Sequence, residues 1–313
     1  PMLLLAALEY QAEWLSNDLP AEVTYPMGLL EEDSSGLYKQ LSWAANLLNW
    51  GFYGRAEGGV TSFLVGEEIP VTFGEDISYG TSGVQYYLAA RDNVDYESWL
   101  AASGPLGLFD TYSELFGDPF EREIEPLIPE DLSQPDFMLP WTGGETWYFT
   151  GGPHGGWNTG SAWAALDFVP PNQEAGCSPS EHWTTAVAAG IVSRSGKGAV
   201  VLDLDGDGYS GTGWAVTYMH LADRDRAAVG TAVKTGDPLG HPGCEGGFTN
   251  GTHVHLARTY NGRWISADGP LPFDLDGWIS QGAGFEYNGT LVRDGAVKAA
   301  DIFHTENNAI TAD

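Results

Sequence analysis

The chain has 313 residues, 42% of them hydrophobic, which is apolar material enough for one large or two ordinary buried cores and excludes disorder throughout. Thirteen Lys and Arg against 43 Asp and Glu leave a formal charge of −30, a surface that repels phosphate backbones and anionic lipid headgroups, so nucleic-acid binding and electrostatic membrane attachment are not expected. No apolar run approaches the ~18 residues that span a bilayer, and no transmembrane segment is expected.

The opening PMLLLAALEYQAEWL lacks a basic start and a small-residue cleavage site, and Glu9, Gln11 and Glu13 interrupt it. It reads as an amphipathic helix, with any export signal expected upstream of Pro1. Helical spacing continues in LYKQLSWAANLLNWGFYG and, after the polar turn YGTSG, in the segments around Tyr86–Leu88 and Trp99–Leu100. IPVTF (Ile69 to Phe73) is more strand-like. Residues 1–125 are therefore expected to form a mainly helical domain. EREIEPLIPEDLSQPDF, with three prolines among acidic and amide side chains, resists regular structure and predicts a linker over 126–136.

Beyond the linker the texture changes to short apolar or aromatic runs separated by Gly, Asn and Asp: TWYFTG, AWAALDFV, TAVAAGIVSRS, AVVLDLD, WAVTYMHL, HVHLARTY and RWISADG. These are strand signals, so residues 137–313 are expected to be a mainly antiparallel β domain with a C-terminal extension, and the whole chain α+β. The two cysteines, Cys177 and Cys244, fit one disulfide in an exported protein; two free buried thiols are the alternative.

The β domain holds His154, His220, His253 and His255. In THVH the last two share one strand face, about 6.6 Å apart, so that one ring can bind a metal while its neighbour reaches a water. His154 sits in the glycine-rich GGPHGG, and Asp167 follows thirteen residues later between Leu166 and Phe168. A carboxylate buried there needs a partner, and a divalent cation would supply one. His154, Asp167 and one histidine of the pair make the two-nitrogen, one-oxygen set of a zinc site that keeps a position for water.

The ordered set GGPH, LDF, YMHL and GTHVHLA resembles the lysostaphin-type zinc endopeptidases, most closely the staphylolysin branch, over about residues 137–285. The resemblance implies one zinc per chain on His154, Asp167 and His255, with His220 and His253 as catalytic histidines. It also implies an extracytoplasmic enzyme that cuts peptides in bacterial cell-wall cross-bridges or similar glycine-rich peptides. His253 is the better general base, and His220 the better candidate to steady the oxyanion or pass a proton to the departing amine. A wall-binding or regulatory protein that keeps the fold without hydrolysis is the alternative.

Tyr218, two residues before His220, could donate to the oxyanion, with a packed aromatic as the favoured reading. Trp157, Trp163 and Tyr148 are either aromatic walls of a narrow cleft or core. His182, His241 and His304 read as surface histidines. DLDGDGYSG imitates the first half of a calcium loop through Asp203, Asp205 and Asp207, but Trp214 stands where such a loop needs its glutamate, so an acidic hairpin turn is favoured over calcium. The first helix faintly resembles that of lytic transglycosylases and lysozyme-like domains, with Gln11 in place of the catalytic acid and NWGFYGR as an aromatic loop. A glutamine cannot act as that acid, which leaves a glycan-positioning module, an inhibitory propeptide-like domain or, the favoured reading, a structural helical bundle.

Overall fold

Two separate hydrophobic cores organise the chain. It divides accordingly into two units, Pro1–Glu125 with Asn158–Ser161, and Pro126–Trp157 with Ala162–Asp313. The structure is a computed structural model that describes residues 1–57, 59–66, 68–122, 124, 126–157, 160–173 and 175–313. The class is α+β.

The first unit contains α1 (Met2–Ala12), α2 (Leu37–Ala56), the hairpin β1 (Ser62–Val65) and β2 (Ile69–Thr72), then α3 (Tyr79–Ala89), α4 (Tyr96–Ser103) and α5 (Leu108–Phe116). The Ser78 hydroxyl accepts the Thr81 N–H to start α3, and the Asp95 carboxylate accepts the Ser98 N–H to start α4. NWGFYGR is not a loop: Gly51 and Gly54 lie inside α2. Their cost in helix propensity is outweighed by packing, because a Cβ on Gly51 would come within 2.7 Å of the Ser82 carbonyl, and one on Gly83 of α3 within 2.5 Å of the Leu48 carbonyl. The Gln11 side chain accepts a hydrogen bond from Arg91.

The second unit follows with β3 (Thr146–His154), β4 (Ala165–Val169), β5 (Thr184–Thr185), β6 (Gly190–Gly196), β7 (Ala199–Asp203), β8 (Trp214–Met219), β9 (Ala232–Val233), β10 (Pro238–Gly240), β11 (Val254–Tyr260) and β12 (Arg263–Trp264). It ends with β13 (Asp274–Leu275), β14 (Trp278–Gly282), β15 (Gly289–Arg293), β16 (Ala296–Ala299) and β17 (Ala309–Thr311). The main sheet has the order β17-β3-β4-β11-β8-β7-β6-β9, with β12 paired to β11. Its strand pairs are antiparallel. β7 and β8 are buried at every position, which is why they read as continuous apolar runs rather than as alternation.

Two expectations change here. Residues 126–136 carry no regular element, yet they do not hang free: Gln134 donates to the Asp274 carbonyl at 2.7 Å and accepts from Arg258, and Asn261 donates to the Leu127 carbonyl. The C-terminal residues are likewise integral to the second unit. β17 forms the edge of the main sheet with Ile310 opposite Trp147, and β13–β16 form a four-stranded meander whose turn at Asn288 passes close over Gly152.

Cys177 and Cys244 form a disulfide with a Cα–Cα distance of 5.4 Å, closing a sequence separation of 67. It fastens the loop before β5 to the segment that leads into β11. Replacing both cysteines by serine is expected to lower the unfolding free energy by about 4 kcal/mol on chain-entropy grounds. Urea denaturation followed by tryptophan fluorescence measures this, and an unchanged midpoint would show that the bridge constrains nothing.

Candidate metal and catalytic site

The site starts from strand register. Asp167 of β4 lies opposite Gly151 of β3 on one side and His255 of β11 on the other, and His255 in turn faces Met219, the residue before His220. One row across four strands therefore carries the carboxylate, one imidazole and the approach to another. Gly151 makes room in that row, since a Cβ there would stand 2.6 Å from Asp167 Oδ2. β3 ends at His154, where the register shifts and turns its ring back toward the carboxylate. β11 begins just after His253, which pairs only through an isolated bridge to Gly243. His220 leaves β8 with φ +64°, a left-handed backbone rare for a residue with a side chain.

His154 Nε2, His255 Nδ1 and His253 Nε2 stand 3.3, 3.2 and 3.6 Å from Asp167 Oδ1, and His154 Nε2 is 3.0 Å from His255 Nδ1. The His220 and His253 ring centroids are 4.5 Å apart. In all four rings the nitrogen facing away from the centre meets a backbone carbonyl: His154 Nδ1 donates to Gly152 at 2.8 Å, His255 Nε2 to Gly156 at 3.1 Å, His253 Nδ1 to Gly251 at 2.8 Å and His220 Nδ1 to Glu245 at 3.0 Å. These bonds assign the tautomers and turn the unprotonated nitrogens inward.

Three lone pairs, on His154 Nε2, His255 Nδ1 and Asp167 Oδ1, thus converge in a buried place. Asp167 Oδ1 has no well-formed hydrogen bond of its own. Such a convergence is repulsive unless a proton or a cation sits at its centre. Two imidazoles and a carboxylate suit zinc, and their donor atoms lie within 4.8 Å of one another, so these residues fit the metal that the motifs imply.

The electrostatics follow the same geometry. Burial alone would push the Asp167 carboxyl up, but the His154 and His253 rings and the contacts from His154 and His255 hold it well below the usual carboxylate range. Burial opposes a charge on His154, and Asp167 overrides it and raises that pKa. Burial lowers the pKa of His255 and, with the neighbouring His253 and His255 rings, pulls His220 down to about 3.

The structure brings His154, Asp167, His220, His253 and His255 together. Asp203, Asp205 and Asp207 lie elsewhere, at the β7–β8 turn. Tyr218 is fully buried, and its hydroxyl accepts the Val187 N–H, so it is a packed aromatic. His241 is not a surface residue: it is buried, with its ring against Trp183 and its Nδ1 on the His182 carbonyl. His182 pairs with Glu145, and exposed His304 stacks on Tyr148. Trp157 is exposed with Arg194 over its ring.

Sequence reasoning missed Tyr287, which stacks on His154 at 4.2 Å with φ +65° and is tied to β3 through Gly152 N–H and the Pro153 carbonyl. No motif marks it. The carbonyl acceptors of Gly152, Gly156 and Gly251 were also missed, although their glycines stand in GGPHGG and NGTH in plain view. Gly151→Ala is expected to displace the Asp167 carboxylate and weaken zinc binding by roughly 10–100-fold, the range for disturbed support of a metal ligand. Competition against a chelator reads this, and unchanged affinity would show that Gly151 sets no distance in the site.

Residues 1–129 match the family described as LasA, N-terminal domain. Over 194 residues, 55% of this chain, the sequence is 27% identical to Protease LasA of Pseudomonas aeruginosa and 26% identical to that of a second strain. The match covers 43% of those proteins, so the chain spans under half the length of the curated relatives. Among solved structures, the deep-sea M23 metalloprotease pseudoalterin is 26% identical with a TM-score of 0.44, over 54% of this chain and 96% of that one. The catalytic domain of lysostaphin from Staphylococcus simulans is 23% identical with a TM-score of 0.28, over 39% and 88%. The first unit is thus similar to the LasA N-terminal domain and the chain to Protease LasA, which agrees with the resemblance carried by the four ordered motifs.

Proposed function

We propose that the chain is a zinc-dependent metalloendopeptidase that acts outside the cytoplasm and hydrolyses peptide bonds in peptidoglycan cross-bridges or similar glycine-rich peptides. The observation that carries this reading is the convergence of His154 Nε2, His255 Nδ1 and buried Asp167 Oδ1 beside two further imidazoles that are anchored to the backbone through Nδ1. His154, Asp167 and His255 are the ligands. Bound there, zinc supplies a Lewis acid for the scissile carbonyl and makes water nucleophilic near neutral pH.

His253 and His220 move the protons. Each donates Nδ1–H to a backbone carbonyl and so offers Nε2 as an acceptor. His253, with Nε2 beside Asp167 Oδ1, is the general base for the attacking water. His220, held neutral in the resting site by burial and by the His253 and His255 rings, takes up at Nε2 the proton that His253 removes from the attacking water and delivers it to the departing amine. Its favourable charge then belongs to the transition state rather than the ground state. Tyr287 over His154, and the Gly246–Phe248 loop beside His220, flank these rings and contact the peptide in this reading.

The zinc-loaded chain is expected to clear a peptidoglycan suspension and release new amino termini, identified by mass spectrometry of the products. His154→Ala or Asp167→Ala loses both zinc and hydrolysis. His220→Ala keeps stoichiometric zinc and loses about 10²–10⁴-fold in turnover. An Asp167→Ala protein with full zinc and full activity would sink the assignment, and an intact zinc site with no hydrolysis of any cross-bridge would favour a wall-binding role.

Zinc must also displace the proton that Asp167 favours on His154. Affinity is therefore expected to be weak at low pH and to rise as pH climbs through the raised His154 range. Calorimetry in two buffers of different ionisation enthalpy reads the released proton; identical apparent enthalpies would contradict this.

A further inference from the structure

The β7–β8 turn lies at the far end of β8 from His220 and gathers a second set of acids. Asp203 is the last residue of β7, opposite Ala215. Its side chain is wholly covered, although it sits near the molecular surface. Oδ2 accepts the Gly208 N–H at 2.7 Å, whereas buried Oδ1 accepts from no N–H or hydroxyl, and the Asp203 carboxyl lies in contact with the Asp205 carboxyl. A buried carboxylate oxygen in that state is costly and calls for a missing partner.

The surroundings sharpen the demand. Carboxylate oxygens of Asp203, Asp205 and Asp207 lie within 4.8 Å of one another, with Asp205 and Asp207 exposed. Among the described residues, the ion pairs involve none of the three, so no basic side chain offsets their repulsion. Burial first, and then the Asp205 and Asp207 carboxylates, push the Asp203 carboxyl up against the opposing Gly208 hydrogen bond.

We propose that Asp203, Asp205 and Asp207 form a calcium site that clamps the β7–β8 turn. This revises the expectation of an empty acidic hairpin. The argument against calcium was Trp214 in the place of a bidentate glutamate, but that requirement belongs to a helix-loop-helix site, and here Trp214 begins β8. A strand-turn-strand site takes its charge from three carboxylates and completes its shell with main-chain carbonyls and water. An all-oxygen, carboxylate-rich set of this kind suits a hard cation, and a flexible turn favours calcium over the more exacting magnesium.

The test is a calorimetric titration of the zinc-loaded full chain with calcium chloride, repeated with terbium chloride, whose emission Tyr209 and Trp214 are placed to sensitise. One equivalent of calcium is expected to bind with a Kd of roughly 10⁻⁵–10⁻³ M, and magnesium chloride at equal concentration at least 10-fold more weakly. Since Asp203→Asn disturbs a buried position, the exposed pair Asp205→Asn with Asp207→Asn serves as the variant. It should weaken calcium binding at least 10-fold while zinc stoichiometry stays at one. No calcium binding up to about 10 mM, or binding of equal strength in the double variant, would overturn the site. Zinc content and peptide hydrolysis are read separately, so failure here is distinguishable from failure of the peptidase reading.

Discussion

The second unit is built around a carboxylate in a place where a carboxylate alone is unfavourable. Asp167 is buried in the middle of the main sheet, and its Oδ1 faces three ring nitrogens rather than solvent. Isolated, that charge would be expelled or neutralised. Surrounded by imidazoles that are themselves anchored, it becomes the point to which β3, β11 and the segment before β11 are drawn. The register of three strands, the missing side chain at Gly151 and the turn of β3 at His154 all serve that position.

The anchoring is as informative as the convergence. Four rings each spend one nitrogen on a backbone carbonyl, and those of Gly152, Glu245 and Gly251 belong to chain segments held from outside the site. The Cys177–Cys244 bridge holds the segment of Glu245 and Gly251, and the C-terminal meander holds that of Gly152. Ring orientation is therefore set before any ligand arrives, which is the preorganisation that a hydrolytic centre requires. It also explains why a residue as remote in sequence as Tyr287 stands over His154.

Much of this was legible from residue order. The apolar runs of β3, β4, β7, β8 and β11 announced themselves because each is bounded by glycine, proline or an acidic turn, and the histidines and Asp167 fell on or beside them at interpretable spacing. What escaped was tertiary. Helical spacing carried through Gly51 and Gly54 of α2, but the need for a glycine at 51 was not legible: α3 packs there too closely for a side chain. β17 is three residues long and becomes a strand only because β3 offers an edge. His241 lies in a loop-like sequence and is buried by Trp183, which no periodicity encodes. Buried Asp203 looked like one more acid in a hairpin until its covered oxygen was seen.

The central claim is that His154, Asp167 and His255 grip a single cation. Anomalous diffraction at the zinc edge from crystals of the full chain tests it most directly. One strong peak is expected among His154 Nε2, Asp167 Oδ1 and His255 Nδ1, at bonding distances of about 2.0–2.2 Å. A peak at other residues, or well-ordered side chains there with no peak in zinc-supplemented crystals, would contradict the account.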